Sequence, residues 1–199
     1  MTRVLSVVVI SYALGCISGA YYILRLSRGR DIRASGSGNA GARNMLRVAG
    51  RGPALGTFLF DAAKGTIAVA LAQAVLPREW AGGVAMLCVV VGHVWPAQLS
   101  FRGGKGVSTA LGALLLVDPL TVLYAAAAGA VTGLLARSST VGGLAAVAFS
   151  APAAIFAGLS AVSVALVAAT TLLILWAHHP SFERLRPPPP LVGAERGLS

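Results

Sequence analysis

The chain has 199 residues, of which 56% are hydrophobic and only 11% charged, and it carries a formal net charge of +10. Several apolar runs approach or exceed the ~18–20 residues that cross a ~30 Å hydrocarbon core as helix, so the composition excludes a soluble domain and implies one compact polytopic bundle. The sixteen Lys and Arg sit mostly in polar loops between these runs, as topology signals and anion ligands, which gives no reason to expect a nucleic-acid partner.

Residues 1–26 begin with Arg3 and an apolar run that superficially resembles a signal peptide, with Gly15, Ser18, Gly19 and Ala20 mimicking a cleavage site. The run continues through Tyr21, Tyr22, Ile23 and Leu24 into basic residues, so it reads as a retained first membrane helix with its tyrosines at the interface. Cys16 and Cys88 both lie in apolar segments without metal-ligand spacing and read as packing residues.

Residues 27–53 are the most polar stretch and read as a loop. Gly36, Gly38 and Gly41 interleave with Ser35, Ser37, Asn39 and Asn44, with Arg33, Arg43 and Arg47 close by. Glycine-freed amides, short polar side chains and guanidinium forks suit a phosphate monoester or an acyl phosphate. A loop made basic only to orient the helices would account for the arginines, but not for the Ser-Gly-Ser-Gly-Asn pattern.

Residues 55–76 form the second apolar segment, with Asp61 and Lys64 one turn apart on one face, where they can pair with each other or contact a ligand. A polar turn at 77–80 leads to a third segment, 81–99, which contains His93; a lone intramembrane His often bonds a neighbouring helix, and no metal site is supported. Residues 101–112, FRGGKGVSTALG, read as a phosphate seat. Gly103, Gly104 and Gly106 let the backbone approach an anion, Arg102 and Lys105 bring charge, Ser108 and Thr109 can donate, and a helix from Val107 would aim its dipole at the same place. The pattern is not a Walker A loop, since Gly106 follows the only Gly-Lys pair. Taken alone, it could also be a turn whose Arg and Lys face lipid headgroups.

The fourth segment is 107–117, the fifth 120–136, the sixth 141–157 and the seventh 161–177, with a hydroxyl-rich turn at Arg137–Thr140 between the fifth and sixth. Seven spans put Arg25, Arg28, Arg30, Arg33, Arg43, Arg47, Arg51, Arg102, Lys105 and Arg137, with Arg184, Arg186 and Arg196 of the tail, on one side, against Arg3 and Arg78. The positive-inside rule assigns that side, with both glycine-rich loops, to the cytoplasm and the N-terminus to the outside.

Ser35–Arg47, Asp61–Gly65, His93 and Phe101–Gly112 together resemble the acyl-phosphate:glycerol-3-phosphate acyltransferase family, the PlsY-type bacterial membrane enzymes, in order and over nearly the whole chain. The resemblance implies an all-α, seven-helix enzyme of the bacterial cell membrane, a single domain over 1–199 with a cytoplasmic tail at 178–199. It would transfer an acyl chain from acyl phosphate to glycerol 3-phosphate among membrane lipids, with no metal or other cofactor. It further implies that Ser35, Ser37, Gly38 and Asn39 with Arg47 hold one phosphate, with Arg43 and Asn44 beside them. Gly104, Lys105 and Gly106, next to Gly103, would hold the other. Thr140 stands for the family's serine and Ser181 for its Asn, and either His178 acts as general base or it orients the site while substrate phosphate takes the proton. Two departures stand out: Arg43 replaces the family's Thr, and the tail reads HHPSFERLRPPPPLVGAE, in which Pro180 and Pro187–Pro190 suggest a stiff, partly polyproline path. They leave open an inactive member serving as a lipid-enzyme partner. An organic-phosphate transporter is the other alternative, but it lacks an inverted repeat.

Overall fold

The computed structural model describes residues 1–183, and among them the chain is helical without strands. The first apolar run is not one rod. It breaks into α1 (Thr2–Cys16) and α2 (Gly19–Arg28) at Ile17 and Ser18, both extended. Ser18 caps α2 by accepting the Tyr21 N–H at 3.3 Å. A break inside an apolar run strands polar backbone groups that lipid cannot satisfy. Here Lys64 Nζ donates to the Gly15 and Ile17 carbonyls at 2.9 and 2.7 Å, Gln98 donates to the Cys16 carbonyl, and Asp61 accepts the Gly19 N–H at 3.3 Å. Asp61 and Lys64 also pair at 3.1 Å, as their spacing allows.

The stretch expected to be a loop over 27–53 contains ordered pieces. A 3-10 turn, Ile32–Ala34, is capped by Asp31, and α3 (Ala42–Ala49) follows. Met45 is fully buried among Leu24, Ile32 and Ala54 while Arg43 and Arg47 stay exposed. This short amphipathic helix carries no apolar run for hydropathy to detect.

α4 (Arg51–Val75) is a full span with Asp61, Lys64 and Gly65 on its buried face. α5 (Ala81–Val94) ends before the expected 99, because Pro96 cannot continue the ladder and restricts Trp95; a 3-10 turn, Ala97–Leu99, completes the segment. α6 (Val107–Val117) has the expected bounds. α7 (Pro119–Leu135) starts with Pro at N1 and an Asp118 cap on the Thr121 N–H at 2.7 Å. α8 (Ser139–Phe156) and α9 (Ala161–Glu183) complete the bundle. α9 continues through Pro180, where the sequence suggested an extended tail; the proline withholds one N–H from the ladder, and the described helix runs on to Glu183.

Among the described residues, four helical spans are long and apolar enough to cross a membrane: Thr2–Arg28, Arg51–Val75, Ala81–Leu99 and Ala161–His179. Val107–Val117, Pro119–Leu135 and Thr140–Phe156 are shorter apolar helices. Every expected apolar segment is therefore helical. Val69, Met86, Val89, Val90 and Val167 form the core, while Leu59, Phe60, Leu123, Phe156 and Leu172 remain exposed on outer faces, as contact with lipid requires. The chain is a multi-pass membrane protein.

Candidate active site

The first glycine-rich loop is built from below by Asn44. Its side chain is buried, its Oδ1 accepts the Ser37 N–H at 2.8 Å, and its Nδ2 donates to the Ile32 and Ser35 carbonyls at 3.2 and 2.9 Å. The amide is thus engaged within the loop it shapes. Ser35, Ser37 and Asn39 are half-buried above it and Gly38 is exposed. Arg33, expected among the anion ligands, is tied down instead: it pairs with Asp31 at 2.8 Å, donates to the Leu99 carbonyl at 2.6 Å and lies over the Tyr21 ring. Its hydrogen bonds hold the Asp31 carboxyl below the usual carboxylate range. Arg33 thereby fastens the first loop to the turn preceding the second.

The second loop, 102–106, lies on the end of α5. Gly103 and Gly104 donate their N–H groups to the Val94 and His93 carbonyls at 3.1 and 3.0 Å, so these two amides anchor the loop and do not face an anion. The loops touch: Ala40 N–H donates to the Gly103 carbonyl at 3.3 Å, and a Cβ on Gly104 would stand 2.9 Å from the Ala40 carbonyl and collide with the His93 ring. Gly106, at φ 85°, turns the chain into α6, which has no side-chain cap, so its first-turn N–H groups are directed toward the loop. Thr109, read as a donor, is instead buried beneath with its hydroxyl unpaired, because α6 packs that face on Gly65 of α4. Ser108 is half-buried.

α9 approaches this loop through Ile174, whose Cγ1 lies 3.5 Å from where a Gly106 Cβ would be. One turn on, His178 Nδ1 is 2.7 Å from the Ile174 carbonyl. A carbonyl only accepts, so Nδ1 carries the proton in this bond and a neutral ring keeps its lone pair on Nε2. Lys105 and Arg43 are close enough to His178 to act on it electrostatically. Arg43 donates to Thr140 at the start of α8, and Arg47 is exposed one turn further along α3. The Ser181 side chain lies outside the described residues, as do Arg184, Leu185, Arg186, Pro187–Pro190, Gly193, Glu195 and Arg196.

The fold thus gathers Ser35–Asn39, Arg43, Lys105, Gly106, Thr140 and His178 around one basic mouth. An open apolar groove lined by Ala42, Arg43, Leu46, Ala54, Leu55 and Phe58 starts at its edge. Ser18 and Gln98 escaped notice as site supports: Ser18 Oγ is 3.5 Å from the Ala40 carbonyl, and Gln98 reaches α1. Ser18 carries a usable signal, a capping residue before glycine inside an apolar run. Gln98 carries none.

The family model described as glycerol-3-phosphate acyltransferase matches residues 5–187. A glycerol-3-phosphate acyltransferase of Thermus thermophilus is 39% identical over 202 residues, covering 100% of this chain and 96% of that protein. The fold is similar to the crystal structure of PlsY (YgiH), an integral membrane glycerol 3-phosphate acyltransferase, in its glycerol 3-phosphate form. That match has TM-score 0.84 and 30% identity, covering 92% of this chain and 91% of that one. The lysphosphatidic acid form matches with TM-score 0.79 and 27% identity over the same shares.

Proposed function

The chain belongs to the glycerol-3-phosphate acyltransferase family, and we propose that it transfers an acyl chain from acyl phosphate to the 1-hydroxyl of sn-glycerol 3-phosphate, yielding lysophosphatidate and phosphate for phospholipid synthesis. The observation that carries this reading is the contact between the two glycine-rich loops, with His178 close to Lys105 and Arg43. Two phosphates and one proton acceptor are what the reaction needs.

Acyl phosphate is a mixed anhydride, already activated, so positioning and charge neutralisation suffice and no covalent enzyme intermediate is required. Ser35, Ser37 and Asn39 with Arg47 hold one phosphate over the turn made by Gly38, and Lys105 and Gly106 hold the other, on a loop that the Gly103 and Gly104 amides anchor to α5. Asn44 contributes from beneath, as the support of the first loop. Arg43 and Thr140 close the side toward α8, and Ser181 belongs to the tail's share of the site. The glycerol hydroxyl attacks the acyl carbonyl carbon, the bond to phosphate oxygen breaks, and His178 Nε2 relays the hydroxyl proton to the departing phosphate. The acyl chain lies in the groove that starts at Arg43.

The basic loops face the cytoplasm of a bacterial cell, where glycerol 3-phosphate is dissolved, and the N-terminus lies outside. Residues 1–199 act as one membrane domain, with 178–199 as its cytoplasmic end.

The test supplies purified, lipid-reconstituted protein with labelled glycerol 3-phosphate and palmitoyl phosphate. Labelled lysophosphatidate with equimolar phosphate is expected. No product, or product from an acyl thioester but not from acyl phosphate, overturns the reading.

A further inference from the structure

Asp61, Lys64 and His93 form a buried polar cluster between α4 and α5 that the chemistry above does not use. Lys64 Nζ has three N–H bonds to give. Two go to the Gly15 and Ile17 carbonyls at the break of the first span, and the third is shared between His93 Nδ1 at 2.8 Å and Asp61 Oδ1 at 3.1 Å. The break needs Lys64 and Asp61. It does not need an imidazole.

The ring does have a second neighbour. With Nδ1 accepting from Lys64, a neutral His93 carries its proton on Nε2, and this edge lies against Gly104, where a Cβ would collide with it. The His93 carbonyl also accepts the Gly104 N–H at 3.0 Å, and a Cβ on Gly103 would collide with that same carbonyl. One residue, fixed from behind by Lys64, therefore bounds the second loop at two successive glycines, immediately before Lys105. A polar side chain is unfavourable in an apolar span unless it has work there.

We propose that His93 is a positioning residue for acyl transfer: held by Lys64, it sets the path of Gly103 and Gly104 and through them the reach of Lys105 to substrate phosphate. The inference rests on the reading of 102–106 as a phosphate seat. It requires His93 to act through the loop, so its effect must disappear when the loop has lost its charge.

The test is a double-mutant cycle on the full-length reconstituted protein, read as kcat and KM together with thermal stability. His93→Asn keeps an acceptor for Lys64 at the δ position but withdraws the ring from Gly104. It should lower kcat/KM by about tenfold or more, a loss of transition-state stabilisation, with Tm shifted by less than about 2 °C. His93→Gln, whose amide ends near the position of Nε2, should recover about threefold or more of that loss. In a Lys105→Ala background, His93→Asn should cost less than about threefold further.

Wild-type kinetics in His93→Asn, or a full multiplicative loss on top of Lys105→Ala, overturns the proposal. A loss that tracks a fall in Tm and is not recovered by Gln overturns it as well, since that marks plain packing. Wild-type turnover in Lys105→Ala would remove the phosphate seat and the inference with it. An inactive Lys105→Ala beside a fully active His93→Asn removes the inference alone.

Discussion

The Arg43 guanidinium donates to the Thr140 hydroxyl, tying α3 to the first turn of α8 across 97 positions of sequence. Arg43 departs from the threonine of the family pattern, and the structure gives the longer side chain a partner on another helix. If this link closes one side of the mouth, Arg43→Ala and Thr140→Val should each lower kcat/KM by about three- to tenfold, and the double variant should be no worse than the worse single, as for two groups acting as one contact. Multiplicative losses, measured with labelled glycerol 3-phosphate, would separate the two residues.

The contact between the loops predicts a severe effect of one methyl group. Gly104→Ala places a Cβ 2.9 Å from the Ala40 carbonyl and into the His93 ring, backbone on one side and a buried side chain on the other. One loop must move away from the other, and activity should fall by about tenfold or more. Initial rates at saturating acyl phosphate provide the check.

Acid should loosen the first loop before it unfolds the bundle. Arg33 holds the Asp31 carboxyl below its ordinary value, so the folded state binds that proton less readily than the unfolded chain does. The stabilisation is complete above the ordinary carboxylate pKa and is lost as pH falls through the lowered folded one. Asp31→Asn should therefore cost about 0.5–1 kcal/mol at neutral pH, the range of a partly exposed pair, and nothing measurable once the wild-type carboxyl is protonated. Thermal melts of both proteins across that pH range measure the convergence.

Topology follows from the charge asymmetry. With Cys16 and Cys88 removed, a cysteine at Ser37 or Lys105 should resist a membrane-impermeant reagent applied to intact cells, while one at Glu79 should react. The opposite pattern would invert the orientation proposed for the loops.

The spans were legible because an apolar run long enough to cross lipid has few alternatives, and α6 matched its expected bounds to the residue. What escaped was local. The split at Ile17 and Ser18 lies inside an unbroken apolar run and is made tolerable by Lys64, Gln98 and Asp61 from distant segments. α3 has only one fully buried apolar anchor, Met45. The glycines and basic residues of the candidate site stand out in the sequence, but their division of labour does not: Asn44, Arg33 and the Gly103 and Gly104 amides hold the loops together. Sequence alone cannot distinguish a polar group that faces a ligand from one that faces its own backbone.

The most direct test of the account compares His178→Ala with His179→Ala, neighbours about 100° apart around α9. The structure holds His178 close to Lys105 and Arg43 with Nδ1 fixed by the Ile174 carbonyl, while His179 is exposed. His178→Ala should lower kcat by about a hundredfold or more and change glycerol 3-phosphate binding by less than about threefold, whereas His179→Ala should stay near wild type. Equal turnover in the two variants would contradict proton transfer at His178.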